Sequence, residues 1–149
     1  MTDKILVIED EESVRLNLVE LLEAEGYQCV VARDGEEGVR AAWNELPDLI
    51  ICDVLMPQLD GFSVLARLAQ DPATALIPFI FLTALGERKD QRTGMELGAD
   101  DYVTKPFSRL EILQAVEKRL GKRSEAIQQM RRAVSSMQTR LTTRVPEDF

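Results

Sequence analysis

Histidine is absent from the 149 residues of this sequence. A histidine-ligated metal site and a Ser-His-Asp catalytic triad are therefore excluded, and no histidine is available to carry a phosphoryl group. Only two cysteines occur, Cys29 and Cys52, and each lies in a strand-like apolar run. This placement indicates core thiols rather than a disulfide or a metal-binding pair.

Long apolar runs are absent as well. The longest are far shorter than the roughly 20 residues that a membrane span needs. Residues 1–4 lead directly into a strand-like run, with no signal peptide. The sequence therefore predicts a cytoplasmic protein that does not engage a membrane.

Positive charge is scarce in most of the chain, whose net charge is −8. Residues 1–120 carry 12 Lys and Arg against 23 Asp and Glu, whereas residues 121–149 carry 6 against 3. Because an acidic body repels nucleic acid and no helix-turn-helix pattern is present, we expect no direct nucleic-acid binding. The length fits one domain, residues 1–120, with an appendage at residues 121–149.

Residues 49–57 are the stretch around which the chain is organised. An apolar run is interrupted by Asp53 and stopped by Pro57, a pattern typical of a buried strand in a parallel sheet. Asp53 then lies at the carboxyl end of the strand, the edge where ligands bind in open α/β sheets. A single aspartate at this place could equally form a turn or cap a helix, so its role depends on the other strands.

Strand-like and helix-like segments alternate five times over the first 120 residues. The predicted strands are residues 4–8, 28–32, 49–53, 78–83 and 102–104. The helix after the second strand has Val39, Ala42, Trp43 and Leu46 on its predicted inner side, and a weaker helix is predicted near residues 89–97. This alternation predicts an α/β, doubly wound (βα)5 domain with a parallel five-stranded sheet in the flavodoxin-like order 2-1-3-4-5.

Polar residues follow four of these strands. They are Glu9 and Asp10 after the first, Asp53 after the third, Thr83 after the fourth and Lys105 after the fifth. Three carboxylates at one edge repel unless a cation joins them, and their hard oxygens suit Mg²⁺ or Mn²⁺. With a lysine and a hydroxyl beside the metal, the edge would bind a tetrahedral anion, and Asp53 could attack phosphorus as a nucleophile.

Residues 4–120 resemble the receiver domain of bacterial two-component response regulators, such as the chemotaxis regulators. Four motifs carry the resemblance, in the family's order and spacing: Glu9-Asp10, Asp53-Val54-Leu55-Met56-Pro57, Thr83-Ala84 and Lys105-Pro106-Phe107. The resemblance implies that Asp53 accepts a phosphoryl group from the phosphohistidine of a sensor histidine kinase or phosphotransfer protein. The domain would then catalyse its own phosphorylation without being a turnover enzyme.

The resemblance also implies the roles of the neighbouring residues. Asp10, Asp53 and the backbone carbonyl of Leu55 would hold Mg²⁺, and Glu9 would assist through water. Lys105 would contact the phosphoryl group, and the Lys105–Pro106 peptide bond would be cis.

Switching is implied by the same resemblance. A phosphoryl group on Asp53 would draw the hydroxyl of Thr83 inward, and the switch aromatic, Tyr102, would move into the vacated space. The face formed by the fourth helix, the fifth strand and the last helix would then repack. Leu55 and Leu85 stand where the family places residues that influence water access, and neither can orient water, which predicts a long-lived phosphoryl group.

The apolar spacing of three and four residues continues beyond the last helix of the domain. It runs through Ile127, Met130, Val134, Met137 and Leu141. This spacing predicts a coiled coil that extends the last helix and joins two copies in a parallel homodimer. The alternatives are a helix folded back on its own domain and a frayed basic tail.

Four alternative functions share parts of the pattern. The chain could be the receiver fragment of a larger hybrid kinase or output protein, or a stand-alone phosphorelay intermediate. A phosphohydrolase of the haloacid dehalogenase type needs a second Asp where this chain has Leu55. A flavodoxin-like electron carrier needs a phosphate-binding first loop, whereas residues 9–12 are all acidic.

Overall fold

The computed structural model describes residues 2–84, 92–93, 95–121 and 132 of the chain. Within these residues, five parallel strands form one sheet in the order β2-β1-β3-β4-β5. The strands are β1 (Lys4–Ile8), β2 (Gln28–Ala32), β3 (Leu49–Asp53), β4 (Phe79–Ala84) and β5 (Asp101–Lys105). The predicted fold and strand order are confirmed, and each predicted strand is found to within one residue at either end.

Three helices are described in full: α1 (Glu12–Ala24), α2 (Gly35–Glu45) and α3 (Gly61–Ala69). Residues 92–93, 95–96 and 109–121 are also helical, and we call residues 109–121 the last helix. Of the weaker helix predicted near residues 89–97, residues 89–91 and 94 lie outside the described part. The predicted coiled-coil residues from 127 to 141 lie outside it too.

Side chains at the helix ends determine where the helices begin. The carboxylates of Asp34 and Asp60 accept hydrogen bonds from backbone amides in the first turns of α2 and α3. Ser108 and Glu111 form a reciprocal capping box, in which each side chain accepts a hydrogen bond from the other residue's backbone amide, at 3.1 and 3.2 Å. These caps fix where α2, α3 and the last helix begin, at the edge of the sheet that carries the polar residues.

Two apolar cores cover the two faces of the sheet. One packs α2 and α3 against the side chains of Leu6, Ile8, Ile50 and Phe81. The other packs α1 and the last helix against those of Ile5, Val7, Ile51 and Leu82. All five residues of β3 are buried, which explains why its sequence reads as a continuous apolar run.

The prediction for the inner side of α2 is wrong at two positions. Val39 and Ala42 are buried, but Trp43 is 47% and Leu46 is 54% exposed. Trp43 follows Ala42 by one residue and is therefore turned about 100° away from the sheet. Leu46 caps the helix with a left-handed backbone (φ 43°), so it no longer follows the helical period.

The two cysteines are free thiols, Cys52 fully buried and Cys29 half-buried, as predicted. Among the helices of the described residues, none is both long and apolar enough to cross a membrane.

Candidate functional site

The predicted polar residues meet at the carboxyl ends of the strands. Ile8 pairs with Cys52 across β1 and β3, so the residues that follow them, Glu9 and Asp53, are neighbours. Thr83 is the next-to-last residue of β4, and Lys105 is the last residue of the adjacent strand β5. The sheet order therefore brings residues that are far apart in sequence to one edge.

Glu9, Asp10 and Asp53 form an acidic cluster at this edge. One carboxylate oxygen from each residue lies within 4.8 Å of the other two. Glu9 is fully buried and Asp53 is 7% exposed, whereas Asp10 is open to solvent. The cluster thus has a buried floor and one side from which an ion or substrate can enter.

Lys105 bridges the two buried carboxylates. Its Nζ lies 3.1 and 3.2 Å from the two carboxylate oxygens of Glu9 and 3.3 Å from Oδ2 of Asp53. The peptide bond from Lys105 to Pro106 is cis, as the resemblance predicted. The ammonium group therefore reaches into the cluster from the end of β5.

Burial and mutual repulsion shift the acid–base behaviour of the cluster. Burial, together with the charge of Asp53, raises the pKa of Glu9 to about 7. Burial also raises the pKa of Asp53, against the opposing attraction of Lys105. Burial alone would lower the pKa of Lys105, but the charges of Asp53 and Glu9 outweigh it and raise that pKa.

One lysine does not balance three carboxylates, and a divalent cation would supply the missing positive charge. The donor set contains oxygen only, which suits a hard ion, and magnesium commonly uses one or two carboxylates and keeps several waters. The exposed carboxylate of Asp10 leaves room for those waters. The residues present therefore fit magnesium.

Thr83 and Tyr102 lie on neighbouring strands beside the cluster. Thr83 is 1% exposed at the end of β4, and its hydroxyl donates to the carbonyl of Ala84 at 3.4 Å. The half-buried ring of Tyr102 stacks on Phe81, with 5.8 Å between ring centroids, and Phe81 also packs edge-on against Phe62. Tyr102 thus joins an aromatic cluster that extends to the first turn of α3.

Two residues that shape this site are not recognisable from the sequence pattern. Arg15 of α1 is 8% exposed, and its guanidinium donates to the backbone carbonyl of Glu9 at 2.9 Å. Gly61, at the start of α3, lies so close to β3 that an added Cβ would collide with the backbone oxygen of Asp53. An arginine in an amphipathic helix normally predicts a solvated side chain, and a glycine after Asp60 predicts only a turn, so neither pattern reveals the contact.

An open cavity of about 640 Å³ adjoins the cluster on the side of α1. Its lining residues are Glu11, Ser13, Val14, Asn17, Ala84, Lys105, Pro106 and Phe107. Because Lys105 contributes to both the cavity and the cluster, the cavity lies directly beside the acidic site. Leu55, in the loop after β3, is 65% exposed at the same edge of the sheet.

Comparison with known proteins identifies relatives over most of the chain. The chain is 47% identical over 125 residues to the alkaline phosphatase synthesis transcriptional regulatory protein PhoP of Bacillus subtilis, covering 84% of this chain and 51% of that protein. It is 41% identical over 147 residues to the DNA-binding dual master transcriptional regulator RpaA of Synechocystis, covering 98% and 60%. The chain spans about half the length of the curated relatives it matches.

A solved receiver domain shares the fold. The receiver domain of the sensor histidine kinase PA1611 from Pseudomonas aeruginosa superposes with a TM-score of 0.76 at 29% identity, covering 81% of this chain and 99% of that one. That structure has a magnesium ion coordinated in its active-site cleft. Residues 5–117 match the family model of the response regulator receiver domain. The chain therefore belongs to the response regulator receiver domain family.

Proposed function

We propose that this domain is a phosphoacceptor of a two-component or phosphorelay system and that Asp53 receives the phosphoryl group. The convergence of Glu9, Asp10, Asp53 and Lys105 at one sheet edge is the observation that carries this proposal. Glu9 and Asp53 are both buried and both contact the lysine, but Asp53 keeps 7% exposure whereas Glu9 has none, so Asp53 is the carboxylate of the two that a donor can reach. The phosphorylation is a single transfer to the domain itself, so the domain is not a turnover enzyme.

The residues that would hold Mg²⁺ are Asp10, Asp53 and the backbone carbonyl of Leu55, with Glu9 acting through water. When bound, the ion would neutralise phosphoryl oxygens beside the carboxylates. The oxygen-only donor set supports this assignment, as does the ion in the related receiver from Pseudomonas aeruginosa.

Transfer begins when a carboxylate oxygen of Asp53 attacks the phosphorus of a partner's phosphohistidine. The new phosphorus–oxygen bond forms as the phosphorus–nitrogen bond breaks, and the electron pair stays on the imidazole nitrogen. Lys105, whose Nζ is 3.3 Å from Oδ2 of Asp53, then donates hydrogen bonds to the transferred group. The cavity beside Lys105 supports approach of the donor from the side of α1.

The signal then passes through Thr83 and Tyr102. New phosphoryl oxygens on Asp53 attract the Thr83 hydroxyl, which turns away from the carbonyl of Ala84. Tyr102 follows into the vacated space, and the face formed by residues 92–93 and 95–96, β5 and the last helix repacks. The stacking of Tyr102 on Phe81 supports this route, because the ring already packs against the core of the sheet.

The partners of this chain are, in our proposal, a sensor histidine kinase or phosphotransfer protein and a second copy of the chain. The second copy would pair through the last helix and residues 121–149. Because PhoP and RpaA are named as transcriptional regulators and RpaA as DNA-binding, a DNA-binding output is the alternative for a longer protein. The acidic body of residues 1–120 itself disfavours contact with nucleic acid.

The phosphoacceptor proposal is tested with phosphoramidate, a small donor that carries a phosphorus–nitrogen bond. We expect intact-protein mass spectrometry to detect one added phosphoryl group in the presence of Mg²⁺ and none with excess EDTA. Asp53→Asn should remove the modification, whereas Asp3→Asn, at an exposed aspartate away from the site, should not. Undiminished labelling of Asp53→Asn would refute the assignment.

The dimer is tested separately, by sedimentation velocity with Mg²⁺ and beryllofluoride, a phosphoryl mimic. A change of mass in the wild type but not in Asp53→Ala would support dimerisation controlled by phosphorylation. A dimer under all conditions would indicate a constitutive coiled coil. A monomer under all conditions would contradict the dimer and favour a relay intermediate.

A further inference from the structure

The loop between β3 and α3, residues 54–60, determines where the Leu55 carbonyl lies. The loop is fixed at its two ends: Val54 donates its amide to the carbonyl of Leu82, and Gly61 donates its amide to the carbonyl of Val54. Between these ends, Met56 is buried, but Leu55 is 65% exposed and Gln58 has a left-handed backbone (φ 69°). The middle of the loop therefore needs a further support if Leu55 is to keep one position.

That support comes from the first residue of α2. Gly35 is buried against the loop so closely that an added Cβ would lie 2.5 Å from the backbone oxygen of Leu59 and 2.9 Å from its Cβ. Real Cβ atoms essentially never approach a backbone oxygen this closely. The φ of Gly35 lies outside the left-handed region, so the position requires glycine for space and not for backbone conformation.

Any residue larger than glycine would move the loop rather than the helix. The start of α2 is capped by Asp34, which accepts the amide of Glu37 at 2.8 Å, and Val39 and Ala42 fix the helix in the core. The loop has no comparable anchor at Leu59, which is only partly buried and packs on the edge of that core. The displacement would therefore travel along the loop toward Leu55.

We propose that Gly35 is a positioning residue for the acidic site: the space it leaves lets Leu59 dock on α2, and this contact sets the place of the Leu55 carbonyl. The inference rests on the proposed function in one respect, the use of that carbonyl as a metal ligand. It assigns to the start of α2 an effect on a site to which that helix contributes no side chain.

The test compares Gly35→Ala with Gly121→Ala, a matched control whose added Cβ has no atom within 4 Å. Titration calorimetry with MgCl2 should show Gly35→Ala binding about tenfold more weakly than wild type, the usual effect of losing support for a metal ligand. Gly121→Ala should bind as wild type does. In the metal-free proteins, the backbone amide NMR resonances of residues 55, 56 and 58–60 should move in Gly35→Ala only.

A folded Gly35→Ala protein with wild-type magnesium affinity and unmoved loop resonances would overturn the inference. If Gly35→Ala does not fold, Leu59→Ala replaces it, with Leu76→Ala, at a 91% exposed leucine, as its control. Leu59→Ala should weaken magnesium binding and Leu76→Ala should not; equal affinity in the two would overturn the inference. If wild type itself binds no Mg²⁺, the proposed metal site fails, while the metal-free resonances still decide whether Gly35 positions the loop.

Discussion

Removing the buried charge of Glu9 should stabilise the metal-free domain at alkaline pH. Glu9 is fully buried, and burial together with the charge of Asp53 raises its pKa from 4.5 to about 7. The folded protein thus favours the neutral acid, and ionisation destabilises it. Glu9→Gln keeps the size of the side chain but cannot ionise, so the variant avoids this cost.

The expected gain in unfolding free energy follows from the pKa of Glu9 in the folded and in the unfolded protein. A pKa raised from 4.5 to about 7 corresponds to about 3 kcal/mol of unfolding free energy. Because the site can relax when it becomes charged, we expect the variant to gain about 2 kcal/mol. The pKa of Glu9 is higher in the folded than in the unfolded protein. The stabilising contribution of the neutral Glu9 is therefore fully present below pH 4.5 and is lost as the pH rises through about 7.

Urea unfolding followed by circular dichroism, with EDTA present, measures this effect. At pH 8, Glu9→Gln should be more stable than wild type by about 2 kcal/mol, and at pH 4.5 the difference should nearly vanish. Glu20→Gln, at an exposed glutamate of α1, serves as the control and should match the stability of wild type at both pH values. Saturating MgCl2 should stabilise wild type and narrow the gap at pH 8. If Glu9→Gln and wild type had the same unfolding free energy at pH 8, or differed as much at pH 4.5 as at pH 8, the reasoning would be refuted.

Three further predictions concern the loop, a helix cap and the thiols. Leu55→Asn places a polar group beside Asp53 that can hydrogen-bond an attacking water. This should speed loss of the phosphoryl group about tenfold, as followed by a mass-spectrometric time course. An unchanged decay rate would contradict the predicted long lifetime of the phosphoryl group. Ser108→Ala removes one half of the capping box and should lower the unfolding free energy by about 1 kcal/mol. Burial raises the pKa of the Cys29 thiol to about 11 and raises that of the fully buried Cys52 thiol well above its usual value. Neither cysteine should therefore react with an aromatic disulfide reagent at pH 8 until urea unfolds the protein.

The part of the fold that the sequence predicts is the part governed by local chemistry. The apolar run before Asp53, the capping box at Ser108 and the alternation of strands and helices each involve residues close in the chain. Because parallel strands align their carboxyl ends, these local signals suffice to bring Glu9, Asp53 and Lys105 together. The sequence therefore predicts that these three residues converge, but it does not predict the distances between their side-chain atoms.

The features that the sequence does not predict depend on contacts between distant segments. The roles of Gly35 and Arg15 arise from a loop and a backbone carbonyl that the local pattern does not contain. The sequence predicts Trp43 on the inner side of α2 because it follows Val39 by four residues, the spacing of one helical face. Its exposure follows from the rotation of α2 on the sheet, which is set by Val39 and Ala42.

The course of the last helix separates the two ends of the domain. Phe107, just before the helix, lines the cavity beside Lys105, whereas Arg119 near its end lies 3.7 Å from Asp101, the first residue of β5. The thirteen helical residues from 109 to 121 span about 20 Å, the depth of the sheet. In the proposed function, a phosphodonor that binds at the cavity would contact the start of this helix and not its far end, so one molecule could hold its donor and the proposed second copy at the same time.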